Sequence, residues 1–432
     1  MEGLKNKRVL LIDNGGSVEL ARRLVPFFKE VYYFNGYSGT GFPLENPYFV
    51  GTGIKGVTKI YELFPYAEES DLIIFSGVSA VQYGDMAEYF RSIGKRVVSA
   101  FYGQEMETDR VGLKEWMKEN GLGVNKYKVI EKTSELRKFL EAHPDTFFYI
   151  KISDPPLRGL GETFAFPNLK LGMPELEKRE YRLGEALKDR VTWVVEWKLD
   201  EDMIEWGTDT FFAGGKYPKT LMAGIEKKGT IYWSVAKQWD EFPKELTEIN
   251  EALMPALTDY GYQSHISTES KIDEKRTQIL LDLTTRFPSP PSELMWYMIE
   301  NIAEFYWELG GGNIIEPKYK DKYGVQLVLR STWGEEEKQP IYIDKDVREN
   351  VFIENFTVTN GVIYTLPHAV GVASDSPGCI CESGKSFDEV IEKIKKIIPK
   401  VEGIHLEFPT KDLEEINDHI EKLKSWDLNI FD

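Results

Sequence analysis

Cysteine is almost absent: two of 432 residues, Cys379 and Cys381, stand one residue apart. That spacing is too short for an ordinary disulfide between separate elements. A lone Cys-x-Cys pair without a second pair or a nearby histidine is also a poor metal site. Both thiols are read as reduced, in a strand or turn, which makes the cytoplasm the expected compartment. Histidine is scarce too, with five residues. His265 and His368 have no partnered serine or cysteine motif, so no Ser/His/Asp triad is indicated. No apolar run approaches the roughly 20 residues of a membrane span. Met1 to Lys7 leads directly into a strand pattern, so no signal peptide is expected. Positive charge is in deficit, since 53 Lys and Arg against 71 Asp and Glu give a formal net charge of −18. Such a surface repels a phosphate backbone and argues against nucleic acid as a main partner.

What is present describes an ordinary folded chain, with 42% hydrophobic and 29% charged residues. The length fits two to four packed subdomains. Apolar runs at Arg8–Asp13, Val31–Phe34, Asp71–Ser76 and Arg96–Ser99 alternate with helical spacing over Ser17–Lys29 and Met86–Ile93. That alternation predicts a doubly wound, mostly parallel sheet over about 1–105. Residues 106–145 read as helical, then extended. Strands are expected at Phe147–Ile152, Trp193–Trp197, Thr210–Gly215, Gly224–Trp233 and Ile279–Leu283. A long helix is expected over Glu293–Leu309, ending at Gly310–Gly312. The last hundred residues are strand-rich and close with helices near Phe387–Ile398 and Lys411–Trp426. Boundaries are placed near 105, 190 and 320. The expected domains are thus 1–105, 106–190, 191–320 and 321–432, in an α/β chain with α+β lobes.

Several polar residues interrupt apolar runs. Glu269 and Asp282 lie on two short strands joined by the turn Asp273–Arg276. As a hairpin these strands could set the two carboxylates face to face, which is costly unless a cation neutralises them. Mg²⁺ shared with nucleotide phosphates is one solution; an ordinary hairpin with an exposed polar face is the other. Thr284 and Arg286 follow Asp282 at strand spacing. The hydroxyl could touch metal or phosphate, and the guanidinium could hold a phosphate or carboxylate as a fork. Lys151 ends an apolar strand before a Gly- and Pro-rich loop holding Arg158, Gly159 and Gly161, which could close over phosphates or simply be solvated. Glu196 and Leu199 sit where a strand-to-loop segment could read a base edge, with Glu205 as a second polar contact. Asn14-Gly15-Gly16 is either a phosphate-binding turn at a helix N-terminus or a plain tight turn. His265 is close in sequence to Glu269, though a structural role suits it better.

Taken in order, these segments resemble the ATP-grasp superfamily, in particular glycinamide ribonucleotide synthetase (phosphoribosylamine–glycine ligase) and, more distantly, biotin carboxylase. Asp109-Arg-Val-Gly-Leu-Lys-Glu-Trp-Met117 and Glu119-Asn-Gly-Leu-Gly-Val124 are similar to the family's linker helix. Arg110 stands where the family often has an ATP-contacting lysine. Phe148–Lys151 matches the strand of the second ATP lysine, Val195–Leu199 the adenine hinge, and Ile204–Gly207 the segment with a nucleotide-pocket glutamate. Thr268-Glu269 and Leu281–Phe287 match the two metal-binding strands, with Asp282 in place of the usual Glu and Thr284 in place of the usual Asn. Residues 340–400 are similar to the C-terminal subdomain.

The resemblance implies an ATP-grasp fold with an N-terminal parallel-sheet domain and a strand-rich C-terminal subdomain. It implies ATP and Mg²⁺ (or Mn²⁺), small-molecule carboxylate and amine substrates, and C–N ligation through an acyl phosphate, in a monomer or homodimer without nucleic-acid or membrane partners. Lys151 and Arg286 would be catalytic. Arg110, Lys151, Arg158, Gly159, Gly161, Glu196, Leu199 and Glu205 would bind nucleotide, and Glu269, Asp282 and Thr284 metal. The segments that hold glycine and phosphoribosylamine are replaced here by Ser76–Gln82 and Arg286–Glu293, so those substrates are not implied. A nucleotide-binding relative without catalysis is the alternative.

Overall fold

The computed structural model describes residues 2–36, 48–77, 83–153, 163–335, 338–367 and 376–432. The backbone divides into two compact units. One comprises 1–102, 206–267 and 285–432; the other comprises 103–205 and 268–284.

The first unit begins with a parallel sheet whose strands run in the order Val57–Ile60, Glu30–Asn35, Arg8–Asp13, Leu72–Phe75, Arg96–Val98. Val9 to Ile12 and Leu72 to Phe75 are at most 1% exposed, as expected for strands covered on both faces. The order reverses beside Arg8–Asp13, which makes the carboxyl ends of Arg8–Asp13 and Leu72–Phe75 a topological switch point. Asp13 organises the turn there. Its carboxylate accepts from the Gly15 and Ser17 amides (3.1 and 2.9 Å), the Tyr33 hydroxyl (2.6 Å) and the Ser76 hydroxyl (3.1 Å). Gly15 turns at φ 119°, a region closed to other residue types.

The same unit carries antiparallel strands in the order Ile204–Phe212, Thr220–Lys227, Ile231–Gln238, Tyr323–Leu329, Gly378–Gly384, Val351–Ile353. The expected strand Gly224–Trp233 is a hairpin instead. Lys227 and Ile231 pair across its turn, and Gly229 supplies a positive φ. The expected helix Glu293–Leu309 is two helices, Ser292–Met298 and Ile302–Leu309. Between them the Glu300 amide donates to the Lys318 carbonyl at 2.9 Å, and the Asn301 side chain bridges the Glu316 carbonyl and the Lys318 amide. A smaller sheet orders Phe356–Thr359, Val362–Thr365, Gln339–Ile343 and Val401–Gly403. The closing helices are Phe387–Ile397 and Glu415–Ser425. Among the described residues no helix is long and apolar enough to cross a membrane.

The second unit holds an antiparallel sheet in the order Tyr127–Ile130, Thr192–Trp197, Phe148–Ser153, Thr163–Phe166. Helices Thr133–Glu141 and Leu169–Leu187 bury Leu136, Leu140 and Leu176 with Phe148, Ile150 and Trp193 of the sheet. The 19-residue helix Leu169–Leu187 has no clear sequence signature, because Pro174 lies within it and Gly184 breaks it at φ 66°. The side chain of Asn168 caps it by accepting from the Leu171 amide at 3.0 Å.

Candidate functional site

In the second unit, helix Arg110–Glu119 is fixed to the strand that carries Lys151. Asp109 caps the helix, accepting from the Gly112 amide at 3.0 Å. The same carboxylate oxygen accepts from the Ser153 hydroxyl at 3.2 Å, and the Val111 amide donates to that hydroxyl at 3.0 Å. The chain beyond the helix then meets the strand Gln278–Thr284. Val124 bridges Leu280, and the Leu280 amide donates to the Gly123 carbonyl at 3.1 Å. A Cβ on Gly123 would lie 1.8 Å from the Gln278 carbonyl oxygen, so this approach requires glycine.

These ties assemble five charged side chains. Lys114 and Glu196 are 1% and 3% exposed, and Lys151 is 5% exposed. The Lys114 ammonium is 2.6 Å from Glu196 Oε1, and the Lys151 ammonium is 3.3 Å from Glu196 Oε2 and 4.0 Å from Asp282 Oδ2. Lys151 also donates to the Leu281 carbonyl at 3.1 Å. The Arg110 guanidinium pairs with Asp282 Oδ1, which accepts the Leu283 amide as well (2.9 Å). Burial pushes the Lys151 ammonium down to about 8; Glu196 opposes that, and Arg110 and Lys114 add to it. Burial would raise the Glu196 carboxyl, but Lys151 and Lys114 outweigh it and hold the group below its ordinary value.

Arg110, Lys151, Glu196 and Asp282 are thus brought together. Glu196 does not stand at an open edge. Its carboxylate lies between two lysines and serves as their counter-ion. Leu199 is half-buried just past the same strand, and Glu205 half-buried on Ile204–Phe212. Lys114 escaped the sequence reading, because a lysine in mid-helix normally points to water. The available signal was its place one turn after Arg110 and between Leu113 and Met117, both buried. Arg158, Gly159 and Gly161 lie outside the described residues, as do His368 and Gly371–Ala373.

Glu269 and Asp282 lie on the strands Ser264–Ile272 and Gln278–Thr284, with Glu269 half-buried and Thr284 7% exposed. Among the described residues no group of three or more His, Cys, Asp or Glu is placed to hold a metal. A site here would have two carboxylates and need phosphate oxygens to complete it, which is how Mg²⁺ is commonly held. Arg286 belongs to the first unit. So does His265, which is 1% exposed. Its ring lies 4.1 Å from that of Phe211 and 4.7 Å from that of Phe287. Burial drops its imidazole to about 3, so it is an aromatic-core residue.

No family model and no curated protein matches this sequence. Solved structures do. Phosphoribosylamine–glycine ligase from Thermotoga maritima superposes with a TM-score of 0.64 at 16% identity, over 93% of this chain and 98% of that one. The biotin carboxylase domain of Hydrogenobacter thermophilus 2-oxoglutarate carboxylase gives 0.65 at 12% identity, over 96% and 95%. L-amino acid ligase from Bacillus licheniformis gives 0.59 at 14%, over 93% and 99%. At these identities the likeness defines architecture: the chain has the ATP-grasp fold.

Proposed function

We propose that the protein is an ADP-forming ligase that activates a carboxylate with MgATP as an acyl phosphate and transfers the acyl group to an amine. The observation that supports this most is the buried cluster of the second unit. Among the described residues it sets Arg110, Lys114 and Lys151 beside Glu196 and Asp282 in a site of low exposure. A polyphosphate would bring negative charge to these three cations, and its oxygens would accept charge-assisted hydrogen bonds from them. The solved structures with this fold include a biotin carboxylase domain with MgADP and an N5-carboxyaminoimidazole synthetase with ADP.

In this reading Arg110 and Lys151 hold the phosphates, and Arg158, Gly159 and Gly161 are further nucleotide-binding residues. Glu196 keeps Lys114 and Lys151 in place, and Leu199 and Glu205 belong to the nucleoside end. Glu269, Asp282 and the Thr284 hydroxyl are the residues for Mg²⁺ (or Mn²⁺). Bound there, the ion would neutralise phosphate charge as the substrate carboxylate attacks the γ-phosphorus and ADP leaves. The amine then attacks the acyl carbon and inorganic phosphate departs. Arg286 has the guanidinium chemistry that a catalytic carboxylate-binding role would use. The gain comes from positioning and charge neutralisation.

The test is thermal stability with MgATP, followed by ADP release against a panel of acids and amines. Saturation at about 100 times Kd stabilises the fold by about 2.7 kcal/mol. Arg110→Met and Lys151→Met should each weaken ATP about ten- to a hundredfold, the loss of one charge-assisted hydrogen bond. Glu269→Gln should abolish ADP release; near-normal release would sink the metal assignment. A second reading, nucleotide binding without catalysis, is favoured by Asp282 and Thr284 at the metal strands. It predicts the ATP shift with no ADP release for any acid–amine pair.

A further inference from the structure

The first unit contains a cavity of about 400 Å³ at the switch point of its parallel sheet, where Asn14, Gly16 and Gly77 form one wall. Such a crevice is where open α/β sheets bind ligands. Glu293 and Glu354 also line it. Glu293 is 2% exposed and accepts from the Gln326 amide at 2.9 Å; Gln326 is oriented by the Leu294 amide, which donates to its carbonyl oxygen at 3.3 Å. Glu354 accepts from the Ser289 hydroxyl at 3.1 Å. Among the described residues neither carboxyl has an ion-pair partner. Burial raises both, and the charge of Glu354 raises Glu293 further, so the pair retains a proton near neutrality.

Two independent features indicate that the cavity is built for a ligand. Ser292, 1% exposed, also lines the cavity, and its buried hydroxyl has no hydrogen-bond partner. Leaving such a group unmatched is costly unless something else satisfies it. The charge inventory gives the sign of that ligand: among the described lining residues Glu226, Glu293 and Glu354 stand against Arg286 alone. Glu226 is 3.3 Å from Lys228, so Glu293 and Glu354 are the lining carboxyls without an ion-pair partner among the described residues.

We propose that this cavity binds the amine substrate as its cation, with the ammonium group held by Glu293 and Glu354 and donating to the Ser292 hydroxyl, and that it excludes amines bearing a phosphate. This rests on the ligase reading above and names the amine's class. An arriving ammonium takes over the role of the proton that the pair retains near neutrality, so that proton is released to solvent on binding.

The experiment is calorimetric titration of the full chain at pH 7 with propylamine, 1,4-diaminobutane and inorganic phosphate. It is run in two buffers of different ionisation enthalpy and paired with the MgATP thermal shift. The expected result is binding of the amines with release of up to one proton, and no displacement of a bound amine by phosphate. Glu293→Gln and Glu354→Gln should each weaken the amines about tenfold or more and remove the proton release, with the MgATP shift retained. The wild-type proton count needs no variant, so it decides the matter even if a variant fails to fold. Absence of amine binding, amine binding without proton release and equal in both variants, or phosphate binding in its place would each overturn the proposal. A chain shifted by MgATP that binds no amine loses this assignment and keeps the ligase reading. A chain that binds amines with proton release but ignores MgATP keeps the cation site and loses the ligase reading, and with it the amine's role as substrate.

Discussion

Lys114→Met tests whether the buried charge cluster is coupled as the distances require. Lys114 and Glu196 have side chains 2% and 4% exposed and meet at 2.6 Å. Removing one partner of a buried pair costs about 3–5 kcal/mol when the other charge is left alone. Glu196 would not be alone, because Lys151 remains at 3.3 Å, so the expected cost is nearer 2 kcal/mol. Glu196→Gln is the harsher change, since it leaves two buried ammonium groups short of a counter-ion; a loss of about 3–5 kcal/mol is expected. In the double variant Lys114 no longer carries the charge that Glu196 balanced. The double variant should therefore lose about 2 kcal/mol less than the two singles together. Urea denaturation of all four proteins, followed by tryptophan fluorescence, gives the cycle. A Lys114→Met protein within about 0.5 kcal/mol of the parent, or strict additivity, would refute the coupling.

Gly123→Ala should cost about 1–3 kcal/mol, because its Cβ would sit 1.8 Å from the Gln278 carbonyl oxygen and the backbones must part. Gly3→Ala, with nothing within 4 Å, is the neutral control in the same thermal melt. Asn301→Leu removes both the donor to the Glu316 carbonyl and the acceptor for the Lys318 amide (3.1 and 2.8 Å). It should lower stability by about 2 kcal/mol, read from the denaturation midpoint. His265 supplies a pH dependence. Its imidazole stays neutral in the fold down to about 3, against 6.5 ordinarily, so the unfolded chain binds the extra proton between those values. This contribution is intact above pH 6.5 and is lost as pH falls, by about 1.4 kcal/mol per unit. In His265→Leu that slope should vanish from stability measured between pH 4 and 6.5; an unchanged slope would assign it to carboxyl groups.

The N-terminal sheet was legible because strands covered on both faces must be apolar without interruption, as Val9–Ile12 and Leu72–Phe75 are. Helix Leu169–Leu187 was not, since Pro174 and Gly184 argue locally against a helix whose burial on Phe148 and Trp193 overrides them. The break in Glu293–Leu309 was hidden for the opposite reason. Its periodicity is sound, but the Glu300 amide and the Asn301 side chain are claimed by Lys318 and Glu316 from farther along the chain. Site chemistry divides in the same way. Lys151, Glu196 and Asp282 each interrupt or end an element and could be read one at a time, whereas Arg110 came only with the resemblance of its helix. Lys114 could not, because its meaning depends on sharing a buried space with Glu196.

Asp282 makes that dependence testable. Sequence spacing sets it against Glu269 as half of a carboxylate pair, whereas the structure gives its Oδ1 to Arg110. A guanidinium and a divalent cation compete for the same carboxylate. Anything that draws Arg110 toward a phosphate therefore frees Asp282 for metal, and by linkage metal must favour the nucleotide equally. Mn²⁺ should accordingly bind weakly to the protein alone and about tenfold or more tightly with ADP present, a coupling of about 1.4 kcal/mol. Arg110→Met removes the competitor, so Mn²⁺ should bind this variant more tightly than the parent without nucleotide, while ADP enhances it less. Electron paramagnetic resonance of free Mn²⁺ measures both. If Arg110→Met leaves metal affinity unchanged with and without ADP, Arg110 does not compete for the metal's carboxylate, and Asp282 is its structural partner alone.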